Sequence, residues 1–328
     1  MDFSGIIGQK EVVGSLERAL SENRVGHAYI FTGPAGMGKK TIAHLFAGLL
    51  LCDAPHDGKT CDRCMPCRLF KNGSNPDFHR IDTEEASIGV DKIRDVLADV
   101  AIKPVYSKRK VYIVEDAEKM TEQAQNCLLK TFEEPPEYVV IILLTANYEA
   151  LLETVRSRAQ HLHFRKYTRD QVRQALALKV ENDDELSKLA VDYSDGSIGL
   201  ALELACSGDF SRLRDRTLAM LPGAEKGKTA SILEFTAFIE ENRESVGLLL
   251  DILLLYYRDL LVMCETGNEN MLINSDKKDM ILNNAQTHSS RGIVGKIDAL
   301  EATRRALKQN ANLQLAVDNL LISLREDS

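Results

Sequence analysis

Gly33-Pro34-Ala35-Gly36-Met37-Gly38-Lys39-Lys40-Thr41 is the stretch that decides the fold of this chain. It follows the apolar run Ala28–Thr32 and opens a helical pattern, which is the strand–loop–helix context of a phosphate-binding loop. That motif has Gly, four residues, Gly, Lys and then Ser or Thr. Lys40 stands at the hydroxyl position here, and Thr41 comes one residue late. The stretch therefore predicts a phosphate loop without the hydroxyl that would hold Mg²⁺.

The loop still offers groups for a nucleotide. Its glycines let backbone N–H groups surround a phosphate, and the following lysine reaches the same group. The candidate nucleotide-binding residues are Gly33, Gly36, Gly38, Lys39 and Thr41. Binding of ATP with Mg²⁺ is doubtful, because Lys40 places a second cation near the metal position. The alternative is a Gly-rich turn without a ligand.

Outward from the loop, apolar runs alternate with helical patterns. Further strands are predicted at Phe78–Ile81, Lys110–Val114, Val139–Leu144 and His161–Phe164, and helices at Lys10–Ser21, Thr41–Leu51, Val90–Ala101 and Glu122–Phe132. This alternation predicts a parallel five-stranded sheet with helices on both faces. After about Arg165 only helical patterns remain, such as Asp184–Tyr193, with breaks at 195–197, Pro222-Gly223 and 267–274.

Composition narrows the class of protein. A chain of 328 residues is long enough for two or three domains. No apolar run reaches the length of a membrane span, and the N-terminus lacks signal-peptide features, so a cytoplasmic location is expected. The net charge of −8 argues against a protein covered by nucleic acid. A local basic run at Lys103, Lys108, Arg109 and Lys110 could contact DNA phosphates, or could be a solvated turn.

The strand Lys110–Val114 ends in the acidic pair Glu115-Asp116. In phosphate-loop ATPases the second strand of the site ends in Asp, which helps to hold the metal, and then Glu, which orients the attacking water. The pair is reversed here, and Asp116 is one methylene too short for the role of Glu. An ordinary solvated strand end is the competing interpretation.

Four cysteines lie at metal-type spacing. The residues are Cys52, Cys61, Cys64 and Cys67. Four thiolates form a closed, tetrahedral structural zinc site, so the segment 52–67 predicts a zinc knuckle with no open catalytic position. Reduced free thiols and an iron–sulfur cluster are the alternatives.

Two arginines flank a serine at Arg156-Ser157-Arg158, between the last two predicted strands. They could form a solvated face. They could also present a guanidinium to a phosphate held by a neighbouring subunit, as an arginine finger does.

Together these features resemble the bacterial DNA polymerase III clamp-loader subunits over essentially the whole chain. Besides the loop and the cysteines, the resemblance rests on Leu128-Leu129-Lys130-Thr131-Phe132-Glu133-Glu134-Pro135-Pro136, on Ser157-Arg158 and on Asn310–Ala316. It implies an AAA+ domain at 1–165 carrying the zinc knuckle, a small helical lid at 166–208, and a helical collar or oligomerisation domain at 209–328.

Three departures indicate the delta-prime type of subunit, which the family uses without ATP hydrolysis. They are Lys40, the inverted Glu115-Asp116 pair, and Gly199 where an ATPase subunit carries a nucleotide-sensing Arg. The resemblance then implies that Arg158 is an arginine finger acting in trans, although Ala159 stands where the family usually has Cys. Thr145 and Asn147, in the loop where an ATPase subunit senses the γ-phosphate, are expected to be structural.

The implied partners are the gamma/tau and delta subunits in a hetero-pentamer, the sliding clamp, and primed DNA through phosphate contacts. Whether this component of the polymerase complex is itself an enzyme stays open at the level of sequence. The alternatives are an ATP-hydrolysing gamma/tau-type subunit, in which Thr41 shifts back to serve Mg²⁺, and a helicase-type AAA+ motor, which would not explain the cysteines.

Overall fold

The computed structural model describes residues 1–82, 85–180 and 185–325. Within them lies one sheet, formed by β1 (Ala28–Thr32), β2 (Phe78–Ile81), β3 (Lys110–Val114), β4 (Val139–Thr145) and β5 (Gln160–His163). The strand order is β2-β3-β4-β1-β5, and every neighbouring pair is parallel. The predicted parallel five-stranded sheet is confirmed.

Burial along the strands explains why their sequences are so apolar. Every residue of β1, β3 and β4 is buried, whereas the edge strands β2 and β5 are partly exposed. Strands covered on both faces need apolar side chains in both directions, so they appear in the sequence as continuous apolar runs. Because β1 is an interior strand between β4 and β5, the loop that follows it lies at the carboxyl edge of the sheet, flanked by the ends of both neighbours.

Helices cover both faces of this sheet. Among the described residues, the first seven α-helices along the chain are α1 (Lys10–Ser21), α2 (Lys39–Leu51), α3 (Met65–Lys71), α4 (Val90–Val100), α5 (Glu122–Glu133), α6 (Glu153–Arg156) and α7 (Arg169–Ala177). One face packs in a single apolar cluster with Ile93 of α4 and Leu128 of α5. On α2, Phe46 contacts Tyr29 of β1 edge-on, with 5.3 Å between the ring centroids. The helices on both faces are therefore confirmed.

The remaining elements are helical. They are α8 (Glu185–Tyr193), α9 (Ile198–Cys206), α10 (Gly208–Glu225), α11 (Thr229–Glu241), α12 (Val246–Thr266), α13 (Lys278–Ala285), α14 (Ser290–Lys308) and α15 (Leu313–Ser323). The chain divides into two compact units: Met1–Ala175 with Ser197–Gly199, and Leu176–Gly196 with the residues from Leu200 onward. The finer division at 165 and 208 stays a prediction.

A buried polar network organises the second unit. Arg214 of α10 is only 2% exposed, and its guanidinium donates to the carboxylate of Asp276 and to the side-chain oxygen of Asn274. The fully buried Asp259 of α12 accepts from the backbone and side-chain N–H groups of Asn274. Because each buried charge has several partners, this network joins α10, α12 and the segment before α13 without an unpaired ion.

The predicted break at Pro222-Gly223 is wrong, since α10 continues through it to Glu225. Proline has the backbone φ of a helix, and the burial of Leu221 and Ala224 compensates for the missing N–H donor. The short helices α3, α6 and α13 were not predicted from the sequence. Asp184, the predicted first residue of one helix, lies outside the described residues.

Across the described ranges, none of the helices combines the length and the apolar character needed to cross a bilayer.

Candidate nucleotide and metal sites

The phosphate loop connects β1 to α2 with the conformation that its glycines permit. Gly33, Gly36 and Gly38 have φ values of 145°, 75° and 79°. A Cβ atom at Gly33 would lie 2.5 Å from the carbonyl oxygen of Phe164, so no other residue fits without displacing the backbone after β5. The strand–loop–helix context predicted from sequence is present.

The first lysine of the loop is folded back onto the loop itself. The ammonium group of Lys39 donates to the carbonyl oxygens of Gly33 and Pro34, the latter at 2.8 Å. Burial lowers the pKa of Lys39, while the nearby carboxylates of Glu118 and Asp116 oppose that shift. The cation therefore lies at the loop and is already hydrogen-bonded by the chain.

The second lysine forms an ion pair with the first acid of the predicted pair. The Nζ atom of Lys40 lies 2.5 Å from Oε2 of Glu115, whose side chain is only 7% exposed. The guanidinium of Arg80, at the edge strand β2, approaches the other oxygen of Glu115 at 3.4 Å. The second acid, Asp116, pairs with Lys119 at 3.2 Å. Both carboxylates therefore already have cationic partners from the same chain.

These residues do not fit Mg²⁺ in the manner of a phosphate-loop ATPase. Mg²⁺ needs oxygen ligands with lone pairs, and an ammonium group at position 40 has none. Thr41 is exposed on α2 and has no hydrogen bond to either acid among those of the described residues. Lys40 therefore does more than remove a hydroxyl, because its ammonium group is the ion-pair partner of Glu115, the acid at the end of β3.

Residues 197–199, which belong to the first compact unit, lie directly on the loop. The N–H of Gly199 donates to the carbonyl oxygen of Gly36 at 3.1 Å, and the hydroxyl of Ser197 donates to that of Ala35 at 3.3 Å. A Cβ atom at Gly199 would lie 2.8 Å from the Cα of Gly36. An arginine at position 199 would therefore require this backbone to move apart.

The loop after β4 satisfies its own polar groups. The buried hydroxyl of Thr145 donates to the carbonyl oxygen of Asn147 and accepts from its N–H, at 2.9 and 3.0 Å. The carboxylate of Glu118 accepts from the N–H of Ala146 at 3.1 Å. This geometry agrees with a structural role for Thr145 and Asn147.

The four predicted metal-ligating cysteines converge. Their sulfur atoms all lie within 4.8 Å of one another, and those of Cys61 and Cys67 are 4.0 Å apart. A tetrahedral Zn²⁺ with bonds of about 2.3 Å places its sulfur ligands about 3.8 Å apart, so the donor set fits. Hydrogen bonds from the backbone N–H groups of Arg63 and Cys64 lower the pKa of the Cys61 thiol to about 6.

Local turns bring these cysteines together. Cys52 follows the last turn of α2, and Cys64 and Cys67 lie at the start of α3. Between them, Asp57 and Gly58 both have positive φ in a tight turn. This turn returns the chain towards Cys61.

Arg158 lies just after α6, and its side chain is 36% exposed. Its guanidinium donates to the carboxylate of Glu133 at 2.8 Å and to the carbonyl oxygen of Thr154 at 3.0 Å. Arg156 is less exposed, pairs with Glu149 at 2.5 Å and lies over the ring of Tyr148. The two arginines therefore differ: Arg156 is part of the local packing, whereas Arg158 reaches the surface.

The predicted basic run is only partly a surface. Lys110 is 2% exposed, and its ammonium group donates to the carboxylate and carbonyl oxygens of Asp99. Its inclusion in a basic surface is wrong, because it starts β3 and its side chain points into the protein. The nearby Asp77 is fully buried and accepts from the N–H groups of residues 105–107.

Sequence reasoning missed three partners of the predicted residues. Arg80 pairs with Glu115, Glu133 pairs with Arg158, and the hydroxyl of Tyr167 donates to the carbonyl oxygen of Met37 in the loop. Each joins segments that are distant along the chain, so only the fold reveals them. The one signal in the sequence itself was that positions 40 and 115 both depart from the ATPase pattern.

The parallel sheet, the phosphate loop after its interior strand β1 and the helical second unit define a protein with the AAA+ fold. Two family descriptions match: "DNA polymerase III, delta subunit" at residues 8–168, and "DNA polymerase III, delta subunit, C terminal" at residues 209–326. The chain belongs to the family of DNA polymerase III clamp-loader subunits.

Individual relatives support membership of the same family. DNA polymerase III subunit delta' of Bacillus subtilis is 28% identical over 97% of this chain and 96% of its own length. Subunit tau of the same organism is also 28% identical, over 93% of this chain but only 58% of tau. A DNA polymerase III gamma subunit-related protein of Thermotoga maritima, 21% identical, shares the fold with a TM-score of 0.52 over 95% of this chain and 98% of that protein.

Proposed function

We propose that this chain is a delta-prime-type subunit that does not hydrolyse ATP and acts as a stator of the clamp loader. The observation that carries the proposal is the ion pair between Lys40 and Glu115. Lys40 stands where the motif has its metal-binding hydroxyl, and it pairs with the first of the two acids. A subunit with this pair lacks the groups that an ATPase uses to hold its metal. The nearly full-length similarity to a delta' subunit supports the same assignment.

In this role Arg158 supplies an arginine finger to ATP bound by an adjacent subunit. Its partly exposed guanidinium is held by Glu133 through one charge-assisted hydrogen bond, so it can exchange that partner for a phosphate. An arginine finger stabilises the charge of the transition state and increases hydrolysis by about 10³-fold or more.

The proposed partners are the gamma/tau and delta subunits in a hetero-pentamer, the sliding clamp and primed DNA. The helical second unit would provide the collar that joins the subunits. DNA would be contacted through phosphates by Lys103 and Lys108, since Lys110 is buried. Work on chromosomal DNA implies a cytoplasmic location.

We also propose that Cys52, Cys61, Cys64 and Cys67 bind a structural Zn²⁺. Four thiolates leave no open ligand position, so this metal would stabilise the fold and would not act on a substrate. Metal analysis of the purified chain tests this: one Zn²⁺ per chain is expected, and iron or no metal would contradict it. Cys206, which is exposed and outside the cluster, provides a control for substitution by Ser.

A gamma/tau-type ATPase subunit is the second candidate. It is favoured by the retained glycines and Lys39 and by the similarity to tau over 93% of this chain. ATP binding and hydrolysis by the purified chain, with Mg²⁺ and primed DNA, separate the two candidates. Turnover that Lys39→Ala abolishes would establish an ATPase, whereas absence of turnover is expected of the stator.

The arginine finger is tested in a reconstituted clamp loader with Arg158→Ala. Single-turnover ATP hydrolysis at the adjacent site should fall about 10³-fold, and clamp loading should fall with it. Arg173→Ala is the control, because Arg173 is 59% exposed and its ion pair within the described residues is with the neighbouring Asp170. Unchanged DNA-stimulated hydrolysis and clamp loading in the Arg158 variant would refute this role.

A further inference from the structure

The cluster formed by Lys40, Glu115 and Arg80 requires an explanation beyond the loss of a hydroxyl. Removal of the metal-binding hydroxyl is enough to abolish ATP hydrolysis, and an alanine at position 40 would remove it. Instead the chain places an ammonium group 2.5 Å from a carboxylate that is 7% exposed. A guanidinium reaches the second oxygen of the same carboxylate at 3.4 Å.

Electrostatics gives the reason for such an arrangement. A buried carboxylate is costly unless a cation or several donors compensate its charge. In a phosphate-loop ATPase, Mg²⁺ provides part of that compensation and also neutralises the nucleotide phosphates. Here the ammonium group of Lys40 can compensate the charge of Glu115 and also help to neutralise a phosphate, because Lys40 stands at the start of α2 beside the loop.

The groups that contact a phosphate directly are retained. The three loop glycines keep their positive φ values, and the 13-residue helix α2 begins at Lys39. Among the residues that the structure describes, Lys39 makes hydrogen bonds to two carbonyl oxygens of the loop, which a phosphate oxygen can replace. The site thus combines a phosphate cradle and two lysines with no ligand set for a divalent ion.

We infer that Lys40 is a built-in cation that replaces Mg²⁺, and that this loop binds the phosphates of a nucleotide without divalent metal. The chemical class of ligand is a nucleoside di- or triphosphate in its metal-free form. The inference goes beyond the proposed stator function. Arg158 acts on a neighbour's nucleotide, whereas Lys40 acts on this chain's own loop, so each can fail without the other.

The experiment measures binding of ADP and ATP to the purified full-length chain by calorimetry, in EDTA and in excess Mg²⁺, with the zinc content of the chain verified to be the same in both conditions. The native chain should bind at least as tightly in EDTA as in excess Mg²⁺, because Mg²⁺ draws the nucleotide into its own complex in solution and has no site to fill on the chain. Binding that requires Mg²⁺ would overturn the inference. So would absence of binding in both conditions.

Lys40→Thr restores the hydroxyl of the motif and removes one of the two cationic partners of Glu115. This variant should bind nucleotide at least about tenfold more tightly with Mg²⁺ than with EDTA. Lys130→Thr, at an exposed lysine of α5 in the same unit, should behave like the native chain. Equal metal dependence in Lys40→Thr and the native chain would refute the role of Lys40.

A second readout does not depend on nucleotide. Mg²⁺ alone should raise the thermal unfolding temperature of Lys40→Thr and leave that of the native chain unchanged. If Lys40→Thr does not fold, Lys40→Met provides the test, because it removes the cation without offering an oxygen. Its affinity for nucleotide in EDTA should fall, and an unchanged affinity would contradict the inference.

Discussion

At the scale of single residues, Asp77 shows how one buried charge fixes a surface. Its carboxylate accepts from the N–H groups of Val105, Tyr106 and Ser107 at 2.7 to 2.8 Å. Val105 and Tyr106 nevertheless have exposed side chains, as does Ile102. The backbone of the segment before β3 is therefore anchored to a buried carboxylate, while its apolar side chains are exposed.

We expect Asp77→Ala to lower the free energy of unfolding by about 2–4 kcal/mol, because it removes three charge-assisted hydrogen bonds at once. Urea unfolding measures this change. Asp77→Asn keeps one acceptor oxygen and should lose less. Asp95→Ala, at an exposed position of α4, should change stability by less than about 0.5 kcal/mol. An Asp77→Ala chain as stable as the native one would show that the hydrogen bonds do not hold the segment.

Residue-scale partners were the least predictable part of the site. Lys40 and Glu115 could each be identified as unusual from the motif, but nothing local to either position predicts their pairing. Asp77 precedes β2 without any pattern around it. Partners of this kind depend on which strand ends become neighbours, and that is set by the strand order of the sheet.

At the scale of elements, the sequence predicted the strands well. The limits of β1, β2 and β3 are those expected, because turn residues bound each short apolar run. The helices α3 and α6 were missed because 7 and 4 residues are too few to show a period of 3.6. The continuation of α10 through Pro222 shows tertiary packing overriding a local breaking signal.

A buried cluster between α10, α12 and α14 predicts a pH dependence. One oxygen of Glu225 accepts from Tyr257, Lys296 and His288, at 2.7, 2.8 and 3.3 Å. The second ring nitrogen of His288 lies 2.8 Å from the carbonyl oxygen of Asn284. Both nitrogens face acceptors, so the protonated ring is favoured, and the hydrogen bond to Glu225 raises the pKa of His288 above 6.5.

The raised pKa of His288 determines how the stability of the fold changes with pH. A group whose pKa is raised in the folded state stabilises the fold fully below its unfolded pKa of 6.5, and loses that contribution as the pH rises above it. His288→Gln should therefore cost about 1–2 kcal/mol at pH 6, the range of a charge-assisted hydrogen bond, and less at pH 8. Denaturant unfolding of both chains at the two pH values measures the difference. A constant difference would mean that the ring does not titrate in this range.

At the scale of the whole molecule, the two compact units differ in how much the sequence revealed. The first unit contains the motifs, and both its fold class and its cysteine cluster were predictable. In the second unit helices were predictable but their packing was not, because continuous apolar stretches such as α12 do not show which face meets which neighbour. The buried Arg214 network had no sequence signal for the same reason.

The cysteine cluster lies wholly within the first unit, so removal of the Zn²⁺ proposed to bind there should affect the two units unequally. Since α2 ends at Leu51 and α3 begins at Met65, a Zn²⁺ bound between them would fix the segment that connects these two helices. We expect chelation, or Cys61→Ser, to lower the unfolding temperature of the first unit by about 5–10 °C, which corresponds to roughly 2–3 kcal/mol.

Hydrogen exchange followed by mass spectrometry measures this, because it reports each segment separately. Faster exchange should appear in α2 and α3 and be absent from α12 and α14. Cys206→Ser serves as the matched substitution, since this exposed cysteine lies in the second unit and outside the cluster. Uniform protection before and after chelation would mean that the four cysteines hold no structural metal. Equal loss of protection in both units would mean instead that the chain unfolds as a single cooperative body.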